Sequence, residues 1–154
     1  MLRTIRIFSL SLLAALFLIQ CGQKSETIRH HDLQIEINDQ MHVKVNSLNE
    51  NAKPLMDQFT PSEILVSRDR TIQDFSLNKT TASQVDDKIG KGTQYTLEGV
   101  YEEDGFRIRK IIDITTYEGF KDIAFMNTRF INEGDKYLPL EKWVTNQLRV
   151  LDHT

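Results

Sequence analysis

"TQYTLEGVYEEDGFRIRKIIDITT", residues 93–116, decides the fold. Asp104-Gly105 sits near its middle, and this dipeptide favours the type I′ turn, which needs positive φ at both central positions. Pairing outward from that turn sets Tyr101 against Ile108, Leu97 against Ile112 and Tyr95 against Ile114. These pairs make one apolar face of aromatic and β-branched residues. On the opposite face Glu102 meets Arg107 and Thr96 meets Asp113. Each such cross-strand pair contributes roughly 0.2–1 kcal/mol. A slip of one residue would turn the whole apolar set to solvent, so the register is well specified.

The flanking sequence continues in period two. Leu33, Ile35 and Ile37 alternate with Gln34, Glu36 and Asn38, and Met41, Val43 and Val45 alternate with His42 and Lys44. Asn38-Asp39-Gln40 between the two runs is turn chemistry, so a first hairpin is expected here. Pro54 and Pro61 break regular structure in residues 46–63. Ile64 to Val66 reads as a short strand. Asn78 to Gly92 is polar and reads as a long loop. Residues 123–131 are apolar on both faces, with Ile123, Phe125 and Ile131 on one and Ala124, Met126 and Phe130 on the other. That pattern predicts a central strand covered twice. Another strand is expected to start near Trp143. No helical stripe appears. Strands of about ten residues exceed the usual ~5–6. The expected fold is an all-β, antiparallel β-sandwich with long strands, supersandwich-like, following a cleaved signal peptide.

The amino terminus has a separate logic. Arg3 and Arg6 precede Ile7–Ile19, which is apolar apart from Ser9 and Ser11. Its length suits a secretory h-region of about 7–15 residues and falls short of the ~20 needed for a membrane-spanning helix. Leu18-Ile19-Gln20-Cys21 follows and resembles a bacterial lipobox, with Leu18 at the expected position and Gln20 where a small residue is usual. The resemblance implies cleavage before Cys21, acylation of its thiol by palmitate-class chains, and lipid anchoring in the bacterial cell envelope, on the periplasmic or outer-membrane face. Several acyl chains give stable attachment where one binds weakly. The expected layout is a signal peptide over 1–20, a polar tether over 21–27, and a sandwich over 28–154 that is incomplete at its C-terminal end.

Composition narrows function. The chain has 154 residues and a net charge of −3, which loss of Arg3 and Arg6 lowers by two more. No basic excess points to a nucleic acid partner. One cysteine excludes an internal disulfide and a cysteine-based zinc cage. Glu102-Glu103-Asp104 and Asp86-Asp87 fall in exposed turns, which do not raise a carboxyl pKa for acid catalysis. His30-His31-Asp32 reads as a polar strand end, because neighbouring strand residues point to opposite faces. "GKGTQYT" lacks phosphate-loop spacing and precedes a strand. Tyr95 and Tyr101 are taken by the apolar hairpin face. Trp143, among Glu141, Lys142 and Thr145, is the aromatic left as a candidate carbohydrate contact.

One resemblance covers roughly residues 28–152. Asp87, Gly90 and Gly92 lead into the long strand, "IIDITTYEGFKDIAFMNTRFIN" forms a strand pair with a short turn, and Asn132-Glu133-Gly134 leads to "YLPLEKW". Together these resemble the N-terminal β-sandwich domain of α-galactosidase-like enzymes of glycoside hydrolase family 36 and relatives. In that family two carboxylates act on a following (β/α)₈ barrel. The resemblance therefore implies a non-catalytic sandwich portion of a lipid-anchored glycosidase, without its barrel. No catalytic residue, metal or cofactor is expected in this chain. The implied partners are the membrane through Cys21 and either a carbohydrate or a catalytic barrel domain. The competing expectation is a small envelope lipoprotein that acts as a binding or structural module with no link to sugars.

Overall fold

The computed structural model describes residues 25–152. The signal peptide, Cys21 and the first part of the tether lie outside the described residues. Ten strands are formed, and there is no helix among the described residues. They are β1 (Glu26–His30), β2 (Leu33–Ile37), β3 (Val43–Ser47), β4 (Ile64–Ser67), β5 (Arg70–Ile72), β6 (Ser76–Asp86), β7 (Lys91–Glu103), β8 (Phe106–Tyr117), β9 (Ala124–Asn132) and β10 (Leu140–Val144). β1 begins two residues inside the segment expected to be tether.

The strands make three antiparallel sheets, ordered β1-β2-β3, β10-β4-β5 and β6-β7-β8-β9. The four-stranded meander is the large layer. Its inner face packs on both smaller sheets through one core, with Ile35 and Ile37 from the first, Leu65 and Ile72 from the second, and Leu97 and Ile112 from the meander. The layer facing the meander is thus split, because the Pro54–Pro61 stretch parts β3 from β4.

The β7–β8 register matches the sequence reading. Tyr101 opposes Ile108, Leu97 opposes Ile112, Tyr95 opposes Ile114, Glu102 opposes Arg107 and Thr96 opposes Asp113. Asp104 and Gly105 have φ of 50° and 79°, as a type I′ turn requires. Ile37 opposes Val43 in the first hairpin, and its loop spans residues 38–42.

Two expectations fail. Asn78–Gly92 is mostly strand rather than loop, because β6 runs to Asp86 and pairs with β7 along its length. Its polarity reflects position: β6 is an edge strand, and most of its residues are exposed. Thr80, Thr81 and Val85 suit a strand without needing a buried face. β9 is also an edge strand, not a central one. Its Ala124, Met126 and Phe130 turn inward, while Phe125 and Ile131 are exposed. Among the described residues no strand extends the meander beyond β9: the chain turns at Asn132–Gly134 and pairs β10 with β4 in another sheet. β10 starts at Leu140, ahead of Trp143, and ends at Val144. The segment after it lies across the small sheets, where Gln147 N donates to Ser62 O and Leu151 N donates to Leu55 O, each at 2.9 Å.

Candidate functional site

The parity of β8 puts a charge inside the core. Ile108, Ile112 and Ile114 face inward, so Lys110 must face inward with them. Lys110 is fully buried. Its Nζ donates to the Met41 carbonyl at 3.4 Å and lies 5.4 Å from the centre of the Phe75 ring. Burial pushes the amine down to about 8, and the Glu63 carboxylate acts in the opposite direction. That is the pattern of a cation stripped of water and only partly compensated.

Glu63 precedes β4 and is 1% exposed. Its Oε1 accepts from Thr128 Oγ1 at 3.4 Å and from the Asn146 amide at 3.3 Å. Its Oε2 accepts from Trp143 Nε1 at 3.2 Å. Three donors from distant parts of the chain therefore meet on one buried carboxylate, which satisfies a group that would otherwise be costly inside. Ser62 beside it is fully buried, and its hydroxyl has no hydrogen-bond partner.

Thr128 and Trp143 are also walls of a cleft of about 530 Å³ between β9 and the 137–143 segment. Leu65, Ile108, Phe130, Leu138 and Leu140 also line it, and Tyr137 stands at the rim, 84% exposed. Trp143 opposes Leu65 across the β10–β4 ladder, which brings both to one face. The indole packs edge-on against Phe130, centroids 5.5 Å apart, and Phe130 in turn meets Phe75 at 5.6 Å. A ladder of rings thus runs from the cleft to Lys110. Size, apolar walls and a few convergent polar groups are the usual marks of a small-molecule pocket, typically ~300–1,000 Å³.

The other residues singled out in the sequence are scattered. Glu102 pairs with Arg107 at the hairpin tip, and Asp104 lies 3.7 Å from Arg70. Asp87 accepts from Tyr117 Oη at 2.8 Å and from the Ile89 amide at 2.8 Å, which together hold its carboxyl below the ordinary range. His30 and His31 do not point to opposite faces. β1 ends at His30, and His31 takes a φ of 52°, so the rings meet edge-on 4.5 Å apart. His42 joins Asp74 at 2.7 Å, away from both. No cluster of three His, Cys, Asp or Glu side chains able to hold a metal occurs among the described residues.

Sequence reasoning singled out Trp143 and missed its acceptor. Lys110 was within reach, since it shares the parity of Ile108 and Ile112. Glu63 carried no local signal, because its partners lie 65 to 83 residues further along the chain.

Comparisons with protein-family models, curated proteins and solved structures find no match to this chain. None of them links it to α-galactosidase-like enzymes.

Proposed function

We propose that the chain is a lipid-anchored protein of the bacterial envelope whose β domain is a non-catalytic module that binds a small ligand with an apolar face. The anchor is read from the lipobox-like Leu18–Cys21. One observation carries the binding assignment: the cleft between β9 and the 137–143 segment, with Trp143 pinned at its wall by Glu63. The wall is organised before any ligand arrives, since a fixed indole loses little freedom on binding. Most of the lining is apolar, so an acyl, aromatic or sugar-ring face fits it better than a charged ligand does. Glu63 is sealed behind Trp143 and Thr128, where it orients the wall and does not meet a substrate.

The test is a thermal-shift screen of short fatty acids, aromatic acids and α-galactosides. Wild-type protein should be stabilised by at least one class, and Leu140→Glu should lose the shift. Leu140 is a half-exposed residue of the cleft lining, so this change adds a charge there without opening the core. A wild-type midpoint that no class moves contradicts the reading.

A second reading takes the domain as the sandwich portion of an α-galactosidase-like enzyme. The exposed Phe120, Ile123 and Phe125 favour it, as a sandwich parted from a barrel leaves apolar surface behind. Immunoblotting with an antibody to residues 28–154 separates the two. A native band several times larger than 17.9 kDa supports the enzyme portion, and a band at or just below that mass supports the stand-alone module.

A further inference from the structure

We infer that the end of the meander carrying Phe120, Ile123, Phe125 and Ile89 lies on the lipid bilayer that holds the acyl anchor. The inference rests on the lipid anchor proposed above. Two neighbouring turns build this end of the sheet. The β6–β7 turn presents Ile89 with Lys88, and the β8–β9 turn presents Phe120 and Ile123 with Lys121. Glu118 N donates to Lys91 O at 2.9 Å and joins the two turns. All four apolar side chains are 39–49% exposed. Phe120 and Phe125 stack edge-on with each other and with the buried Tyr117, at 5.6 to 6.4 Å between centroids. The cluster is therefore a fixed apolar surface.

The two turns are mixed in charge, with the exposed Lys88, Lys91 and Lys121 beside the exposed Asp86, Asp87, Glu118 and Asp122. Asp87 is held by Tyr117, and the Asp122 carboxylate accepts from the Asp32 amide at 2.8 Å. Lys88, Lys91 and Lys121 remain on the surface. Apolar side chains flanked by long lysine stems suit the boundary between acyl chains and headgroups.

The tether makes this occupant reachable. Cys21 is five residues before Glu26, a span of at most about 17 Å. β1 then covers about 13 Å to His30, whose Nε2 lies 2.9 Å from the Phe120 carbonyl oxygen. The anchor and the patch thus flank one short strand, and a domain anchored at Cys21 can lay that strand and the patch against the same bilayer.

The test uses the full chain, expressed with radiolabelled palmitate and reconstituted in phosphatidylcholine–phosphatidylglycerol vesicles with brominated acyl chains. Trp143 is the single tryptophan and sits at the other end of β9 from Phe125. In the Trp143→Phe/Phe125→Trp variant the new indole should lose about half its emission or more to the bromolipid, as expected for a side chain buried in the headgroup–acyl boundary. Wild-type Trp143 should lose far less. Trp143→Phe/Phe120→Trp serves as a second reporter and should behave like the first. A palmitate-labelled protein whose reporters are not quenched overturns the docking and leaves the anchor intact. Cross-linking of that protein into dimers through this face would show that the surface serves a second copy instead. A chain that incorporates no palmitate overturns the anchor, and the docking with it.

Discussion

The Trp143 indole donates to the Glu63 carboxylate across 3.2 Å, so the exposed wall of the cleft hangs on a carboxylate that is itself 1% exposed. Thr128 and Asn146 donate to the same group. Removing it strands three donors and takes away the charge that partly compensates Lys110. Glu63→Ala should therefore cost about 3 kcal/mol or more in urea unfolding. Glu63→Gln keeps an acceptor oxygen and should cost about 1 kcal/mol. In both variants the emission of Trp143 should move to the red as the ring loosens.

Lys110 gives a pH signature. Its folded pKa is lowered from 10.5 to about 8 by burial. Between those values the unfolded chain holds a proton that the folded chain has released, so stability rises with pH across the window. The rise from this one group is at most about 3 kcal/mol. Tyr101 and Tyr117 act oppositely above pH 10.0, since burial of one and the Asp87 hydrogen bond of the other raise their phenols. Urea midpoints from pH 7 to 10 should climb in wild type and stay flatter in Lys110→Met. A variant that tracks wild type across the range would count against a buried amine.

Acid should act through the outer face of the meander. Glu98 accepts from Lys79 at 2.8 Å and from Arg109 at 3.0 Å, which lowers its carboxyl from the ordinary value of 4.5. A depressed carboxylate adds stability above the unfolded pKa and loses it as pH falls through the folded one. Wild type should therefore lose more stability than Glu98→Gln as pH drops below about 4.5. Paired acid titrations by circular dichroism check this.

Two glycines should rank differently. A Cβ at Gly92 would run into the Thr116 carbonyl oxygen, a backbone atom fixed in the ladder. A Cβ at Gly99 would run into the thioether of Met41, a flexible but fully buried side chain, with the Ser76 carbonyl at 3.0 Å. Gly92→Ala should cost about 3 kcal/mol and Gly99→Ala about 1 kcal/mol. Equal thermal midpoints would contradict this ranking.

Legibility in the sequence followed how local each signal was. Tyr101–Ile108 and Leu97–Ile112 could be paired because the Asp104-Gly105 turn sets the count and the alternation sets the faces. β6 was hidden because its residues beyond Leu77 bury little, leaving no apolar stripe to read. β9 showed two apolar faces, and a linear pattern does not say whether a further strand covers the outer one. Lys110 was legible by parity with its neighbours. Glu63 was not, since only the closed fold brings Thr128, Trp143 and Asn146 onto it.

The most direct test of the binding cleft is energy transfer from Trp143 to the apolar dye 1-anilinonaphthalene-8-sulfonate. Because the chain has one tryptophan, the donor is a single side chain of the cleft wall, and it is the loss of transfer in Leu140→Glu that places the dye in the cleft. The account predicts saturable quenching of Trp143 with matching dye emission, lost in Leu140→Glu and displaced by the ligand class that raises the thermal midpoint. Dye that binds without quenching Trp143, or that quenches Leu140→Glu equally, would show that the cleft is not the binding site.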